Sequence, residues 1–224
     1  MSPGNTVYVS GPACSPEEAE SMAAIATLLE RSGFDVYLPP RDGIEPFAST
    51  FSRNDDIQEQ GQHHASTLEI AGFALDIYQL VEGCDCLLFN MNGRVPDPGS
   101  AFRAAVAFTA GKPVVLFKRD HRTKLSGNDN AMISGLSYDF STVNEPEAIP
   151  GEIVDAMRKA QRFETVSCRP GGLPPFVSIA SALGQEVWKS LQRFKEQGPD
   201  SSPMKLLGEL ASICEASAAG RFYS

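Results

Sequence analysis

The stretch Val95-Pro96-Asp97-Pro98-Gly99-Ser100-Ala101-Phe102-Arg103 holds the residue types best suited to chemistry in this chain. An apolar run precedes it and a helical pattern follows. A loop therefore presents the Asp97 carboxylate, and a helix opens at Gly99-Ser100. The first turn of a helix leaves backbone N–H groups without intrahelical partners, and such a terminus attracts anions. With Ser100 as N-cap, Arg103 takes the position where a capping box places Glu or Gln. A cation in the first turn opposes the helix dipole by roughly a few tenths of a kcal/mol to about one. That cost is compatible with an exposed arginine of no function, and equally with a guanidinium paired to Asp97 or to a bound anion.

Two further features carry chemistry. Asp76 has Phe73 and Leu80 at i−3 and i+4, so its carboxylate stands on or beside an apolar helix face. It is either a solvated edge residue or an acid with a partner or a task. In Tyr8-Val9-Ser10-Gly11-Pro12, the Gly-Pro turn is either a plain strand stop or a place where a ligand approaches the backbone closely.

The elements that must position these residues alternate between strand and helix. Thr6-Val7-Tyr8-Val9-Ser10 is rich in β-formers, and Gly11-Pro12 ends it. Ser15-Pro16-Glu17-Glu18 supplies an N-cap, a proline at the first helical position and a Glu three residues after the cap. Met22, Ile25, Ala26 and Leu29 follow at helical spacing, with Gly33 closing the helix. Phe34 to Leu38 is the next strand, halted by Pro39-Pro40. This is a β-α-β unit, which crosses over right-handed to a parallel strand.

Residues 41 to 68 are polar and read as a long loop with room for a short helix; a loop of this length is functional or disordered. A helix is expected from about Leu68 to Glu82. Cys86-Leu87-Leu88-Phe89 is a buried strand, about Ala101 to Ala110 a helix ended by Gly111, and Pro113 to Phe117 a fourth strand. A fifth is placed within Ser137 to Val143, and a helix over Glu145 to Phe163. This rhythm predicts a doubly wound, flavodoxin-like α/β domain with a parallel sheet of about five strands. Its ligand site lies beyond the carboxyl ends of the strands. Gly11-Pro12, Pro39 to Asp42, Asn90 to Gly99 and Lys118 to Asp120 all fall at that edge. Composition changes after Arg169-Pro170-Gly171-Gly172, where two helical stretches follow. The expected division is an α/β domain over residues 1–165 and a helical C-terminal extension over 166–224.

The bulk numbers exclude several classes. With 224 residues, 42% of them hydrophobic, the chain can bury a full core. Its formal net charge of −9 repels phosphate backbones, so no nucleic-acid partner is expected. No run of about 18 apolar residues exists, so no membrane span is expected. Met1 to Asn5 lacks the basic and apolar order of a secretory signal, which predicts a cytoplasmic protein. The five cysteines, Cys14, Cys84, Cys86, Cys168 and Cys214, fit neither a zinc nor a redox spacing, and Cys84 and Cys86 read as buried free thiols. His63, His64 and His121 lack companion ligands, so neither a metal nor another cofactor is expected.

Tyr8 to Pro12, the Asp76-Ile77 helix leading to Cys84-Asp85, Asp97 to Phe102, and Ala107 to Val114 follow one another in a telling order. Together they resemble the successive motifs of the nucleoside 2-deoxyribosyltransferase family over residues 6 to 145. Asn130-Ala131-Met132-Ile133 resembles that family's later segment, which reaches into a neighbouring subunit's site and contacts the sugar 5′ end. A related branch, the deoxynucleoside monophosphate N-glycosidases, has a similar segment there.

The resemblance implies covalent catalysis of the retaining type, in which a glutamate attacks the anomeric carbon of deoxyribose. It places Tyr8 as the residue orienting the nucleophile, with Asp76 and Asp97 holding the sugar and assisting proton transfer. Gly11 and Pro12 line the pocket, with Asp42, Gly99, Ser100, Arg103, Asn130 and Met132 as further substrate contacts. The ligand is a purine or pyrimidine deoxynucleoside or its monophosphate, and the site is completed across an interface in a homo-oligomer. The glutamate falls on Arg103, which is always protonated and cannot act as a nucleophile. Three readings follow. The chain is a degenerate, catalytically inactive member that binds a nucleoside or nucleotide. Or it is an N-glycosidase in which Asp97, Asp76, Glu59 or Glu69 replaces the nucleophile. Or it is a structural partner subunit.

Overall fold

The computed structural model describes residues 5–47, 61–93, 96–120, 130–164, 173–198 and 202–216. Along the chain run β1 (Thr6–Ser10), α1 (Pro16–Arg31), β2 (Asp35–Tyr37), α2 (Pro39–Asp42) and α3 (Gly61–Tyr78). They are followed by β3 (Cys86–Asn90), α4 (Pro98–Thr109), β4 (Val114–Phe117), α5 (Ala131–Ser134), α6 (Ile149–Glu164), α7 (Pro175–Glu196) and α8 (Pro203–Ala216). The chain divides into two compact units, one of Met1–Leu38 with Gly83–Gly172, the other of Pro39–Glu82 with Leu173–Ser224.

The first unit is a parallel α/β sheet in the order β2-β1-β3-β4. Tyr8 pairs with Tyr37 and Leu87, and Phe89 with Ser10 and Leu116, so the strand ends run out together at one edge. Side chains alternate across a strand. One face carries Val7, Val9, Cys86, Leu88, Val115 and Phe117, packed under Met22, Ile25 and Leu29 of α1 and Ile149 and Ile153 of α6. Tyr8, Leu87, Phe89 and Leu116 point to the other face, against which α4 packs.

The α1 start is as the sequence predicts. Ser15 Oγ accepts from the Glu18 N–H at 3.2 Å, and the Glu18 carboxylate accepts from the Ser15 N–H at 3.0 Å. Both halves of the capping box are made, and Pro16 costs nothing at a position whose N–H would go unpaired. Gly33, at φ 89°, takes the left-handed turn that leads into β2.

The expected fifth strand is not extended. Phe117 and Val143 make a single parallel bridge beside β4, while Tyr138–Phe140 turns as a 3-10 helix. Asp139 and Phe140 both have left-handed backbone, at φ 58° and 56°. Two such residues in succession cannot lie in a strand, which needs negative φ. Among the described residues the sheet is therefore four strands with one bridge at its β4 edge.

The second unit is helical, and it joins residues 39–82 to the segment after Gly172. The helix expected from Leu68 begins seven residues earlier, at Gly61, and its last turn, Gln79–Gly83, winds as a π-helix. Along α7, Ala180, Leu183, Gly184, Val187 and Leu191 recur at helical spacing and are buried, as are Thr67, Ala71 and Ala74 of α3. Small residues on both sides let the two backbones come close. Ser181 Oγ donates to Glu82 at 2.5 Å, and Phe47 meets Phe194 edge-on at 5.4 Å. The two C-terminal helices α7 and α8 share this unit with residues 39–82. Among the described residues no helix is long and apolar enough to cross a membrane.

Candidate functional site at the sheet edge

At the carboxyl edge of the sheet, α4 opens one residue past Asp97, and Asp97 rather than Ser100 is its N-cap. One carboxylate oxygen of Asp97 accepts both the Ser100 N–H and the Ser100 hydroxyl, each at 2.7 Å. Pro98 fills the first helical position, where a missing N–H is harmless. Ser100 is fully buried, with its hydroxyl spent on the cap. Arg103 consequently belongs to the second turn, and the expected clash with the helix dipole falls away, because that effect fades beyond the first turn.

The Arg103 side chain returns along the helix toward its start. A Cβ on Gly99 would stand 3.6 Å from Arg103 Nη1 and 3.3 Å from Asp97 Oδ2. Guanidinium and carboxylate therefore flank the same small residue. Gly99 is exposed, so both groups lie beside an exposed position at the helix start.

Tyr8 is fully buried on the α4 side of the sheet, its ring tilted 51° against Tyr37 with centroids 5.1 Å apart. Gly11 follows β1 where no side chain fits: a Cβ would meet Asn90 Cβ at 2.7 Å and Met22 Sδ at 2.8 Å. Pro12 continues this turn, half-buried. Asn130 caps α5, its side-chain oxygen accepting the Met132 N–H at 2.9 Å. Met132 is 81% exposed, an unusual setting for a large apolar side chain.

Asp42 and Asp76 belong to the second unit. The Asp42 carboxylate is held by the adjacent Arg41, whose Nε and Nη2 donate at 3.0 and 2.9 Å, while its carbonyl accepts from Lys195 at 3.2 Å. Asp76 is half-buried on α3, and Glu69 is exposed on the same helix. Glu59, Val95, His121 and Cys168 and the side chains of His63 and His64 lie outside the described residues.

Asn90, Asn92 and Lys118 fall in the ranges the sequence assigns to the ligand edge, but none was given a role there. Asn90 ends β3, Asn92 lies two residues past it, and Lys118, just past β4, is fully buried. The signal was a pair of asparagines at i and i+2 closing an apolar run, a pattern that places amide side chains at a loop entry.

Cys84 and Cys86 are free and buried, and burial pushes both thiols well above the ordinary thiol range. Burial also pushes Cys214 up, to about 11. Thiols kept protonated are poor nucleophiles, so none of the three can stand in for a catalytic carboxylate. Cys14 is exposed. In a Cys168→Ser background, a disulfide reagent should therefore titrate one thiol per native chain and four after denaturation. Rapid reaction of more than one would mean that Cys84, Cys86 or Cys214 is reached in the native fold. Among the described residues, no group of three or more His, Cys, Asp or Glu side chains is placed to hold a metal ion.

Comparison with known proteins agrees with this architecture at family level. A search of curated proteins gives no match. Among solved structures, a conserved protein from Enterococcus faecalis V583 superposes with a TM-score of 0.46 at 17% identity, covering 68% of this chain and 99% of its own. The family model for nucleoside 2-deoxyribosyltransferase matches residues 7–139, which span β1 through the α5 turn and include Tyr8, Asp97 and Arg103. The chain belongs to the nucleoside 2-deoxyribosyltransferase family.

Proposed function

We propose that this protein binds a deoxynucleoside or deoxynucleoside monophosphate at the sheet edge around Tyr8, Gly11, Asp97 and Arg103, without forming a covalent glycosyl intermediate. The observation that carries this reading is Arg103 itself, bent back over Gly99 beside the Asp97 carboxylate. Residue 103 is the position the family's glutamate would occupy. A guanidinium there has no lone pair to attack the sugar, yet it offers donors in a fork suited to an anion. Asp97 does not take over the attack: one of its oxygens already holds two hydrogen bonds from Ser100, which disfavours it as a nucleophile. Met132, exposed on a capped turn, supports a homo-oligomer in which the Asn130 segment completes the site of a neighbouring subunit.

Isothermal calorimetry with a panel of deoxynucleosides and their monophosphates tests the reading, alongside chromatography of each mixture with a free acceptor base. The expected result is saturable binding of at least one ligand, with no base released or exchanged. Base release by the native protein would sink the non-catalytic reading. Failure of every ligand to bind would leave the structural-subunit reading in its place.

A further inference from the structure

Asn90 at the end of β3 and Asn92 two residues past it belong neither to the apolar core nor to the Asp97 cap of α4. The side-chain carbonyl of Asn92 accepts the backbone N–H groups of Arg119, at 2.7 Å, and Asp120, at 3.1 Å. These two peptides lie just past β4, after Lys118 has made the last ladder-like bond, its N–H to the Val143 carbonyl at 2.8 Å. At its own backbone, Asn92 donates to Asn90 Oδ1 at 3.0 Å. Asn90 is 99% shielded from solvent: its Nδ2 lies 3.3 Å from Met22 Sδ, and its Cβ sits where Gly11 leaves no room for another. The exits of β3 and β4 are thus tied through the Asn92 side chain, and the turn after β1 at Gly11 lies close against Asn90.

An exposed loop leaving a parallel strand has no ladder partner, and its free N–H groups would otherwise turn to water. One carbonyl oxygen with two lone pairs satisfies two successive amides and so fixes the direction in which the chain leaves the sheet. The amide chemistry matters: an aliphatic side chain of the same size has no acceptor.

We infer that Asn92 is a positioning residue of the ligand edge, holding the Lys118-Arg119-Asp120 segment in the conformation that ligand binding requires. This deepens the proposed function and rests on it for its ligand. A loop prefixed in its bound shape spares the ordering cost at binding, so loss of the clasp should appear as weaker affinity.

The test uses the full chain and three variants: Asn92→Ala, Asn92→Leu and Asn92→Asp, the last of which keeps the acceptor. Hydrogen exchange at the Arg119 and Asp120 amides, read by NMR without ligand, should accelerate at least about tenfold in Asn92→Ala and Asn92→Leu. It should return close to native in Asn92→Asp. Affinity for the tightest deoxynucleoside or deoxynucleotide found by calorimetry should fall by about tenfold in the same two variants and recover in the third. Unchanged exchange would overturn the clasp. Faster exchange with native affinity would overturn the positioning role, leaving a purely structural bond. If the native protein binds none of these ligands, the functional reading and the ligand half of this inference fail together, while the exchange result still decides whether Asn92 holds the loop.

Discussion

Arg103→Glu is expected to endow the protein with base release or base exchange on deoxynucleosides, at least on the order of a thousandfold above the native chain. The argument starts from position. Arg103 lies one turn beyond the Asp97 cap, and its side chain already reaches back to Gly99. A glutamate is shorter, so its carboxylate would sit nearer the helix axis on the same side, facing the edge beyond β1 and β3. Two carboxylates then stand close together there, and like charges at short range raise the proton affinity of one of them. That is the division of labour a retaining mechanism uses, one acid ionised for attack and one protonated for the leaving group. Arg103→Gln serves as the control: it removes the cation without adding a nucleophile and should stay silent. Chromatography of a deoxynucleoside with a second free base reads the result. Silence from Arg103→Glu in a folded, ligand-binding protein would mean that the site has drifted elsewhere as well. Activity in Arg103→Gln would mean that another acid carries the chemistry.

Gly184→Ala should be the most damaging small substitution outside that edge. The added Cβ would stand 2.0 Å from the Ala74 carbonyl oxygen and 2.7 Å from Tyr78 Cβ. The nearest obstacle is backbone, which cannot swing aside as a flexible side chain would. Either α3 and α7 separate, exposing Leu183 and Val187, or both helices bend. Overpacking of this kind costs roughly 1–3 kcal/mol, occasionally more, and a backbone collision belongs at the upper end. For a protein of this size, about 3 kcal/mol corresponds to a fall in Tm of roughly 10 °C. Gly208→Ala in α8 should do the opposite. Gly208 is exposed with nothing within 4 Å of an added Cβ, so the exchange adds helix propensity worth about 1 kcal/mol. Urea and thermal unfolding of the two variants check both signs. A native-like midpoint for Gly184→Ala would show that the two helices do not pack as closely as described.

Local signals explain how much of this was legible. The α1 cap was readable because Ser15, Pro16 and Glu18 act on neighbours three residues away or fewer, and both capping bonds are present. The parallel sheet was readable because its strands are short apolar runs between helical patterns, with β1 and β2 closed by glycine or proline. The Asp97 cap was equally local and still misread: Asp97 and Ser100 can both cap, and it is Pro98 at the first helical position that decides between them. The helix from Gly61 to Leu68 was not legible. Its polar residues give no apolar stripe, and the buried line through Thr67, Ala71 and Ala74 is made of small residues that pattern reading passes over. The fifth strand failed for a related reason, since left-handed backbone at Asp139 and Phe140 has no glycine to announce it.

The sequence by itself determined the strand and helix rhythm, the α/β class with its parallel sheet, and the capping box that opens α1. These depend on residue type and short-range spacing. Tertiary structure alone decided that residues 39–82 join the C-terminal helices in one unit, that Arg103 bends back beside Asp97, and that Asn92 ties the β3 exit to the β4 exit. Periodicity shows that a face is apolar or that an amide is present. It carries no information about which distant segment that face or amide will meet, because the partner is chosen by the packing of the whole chain.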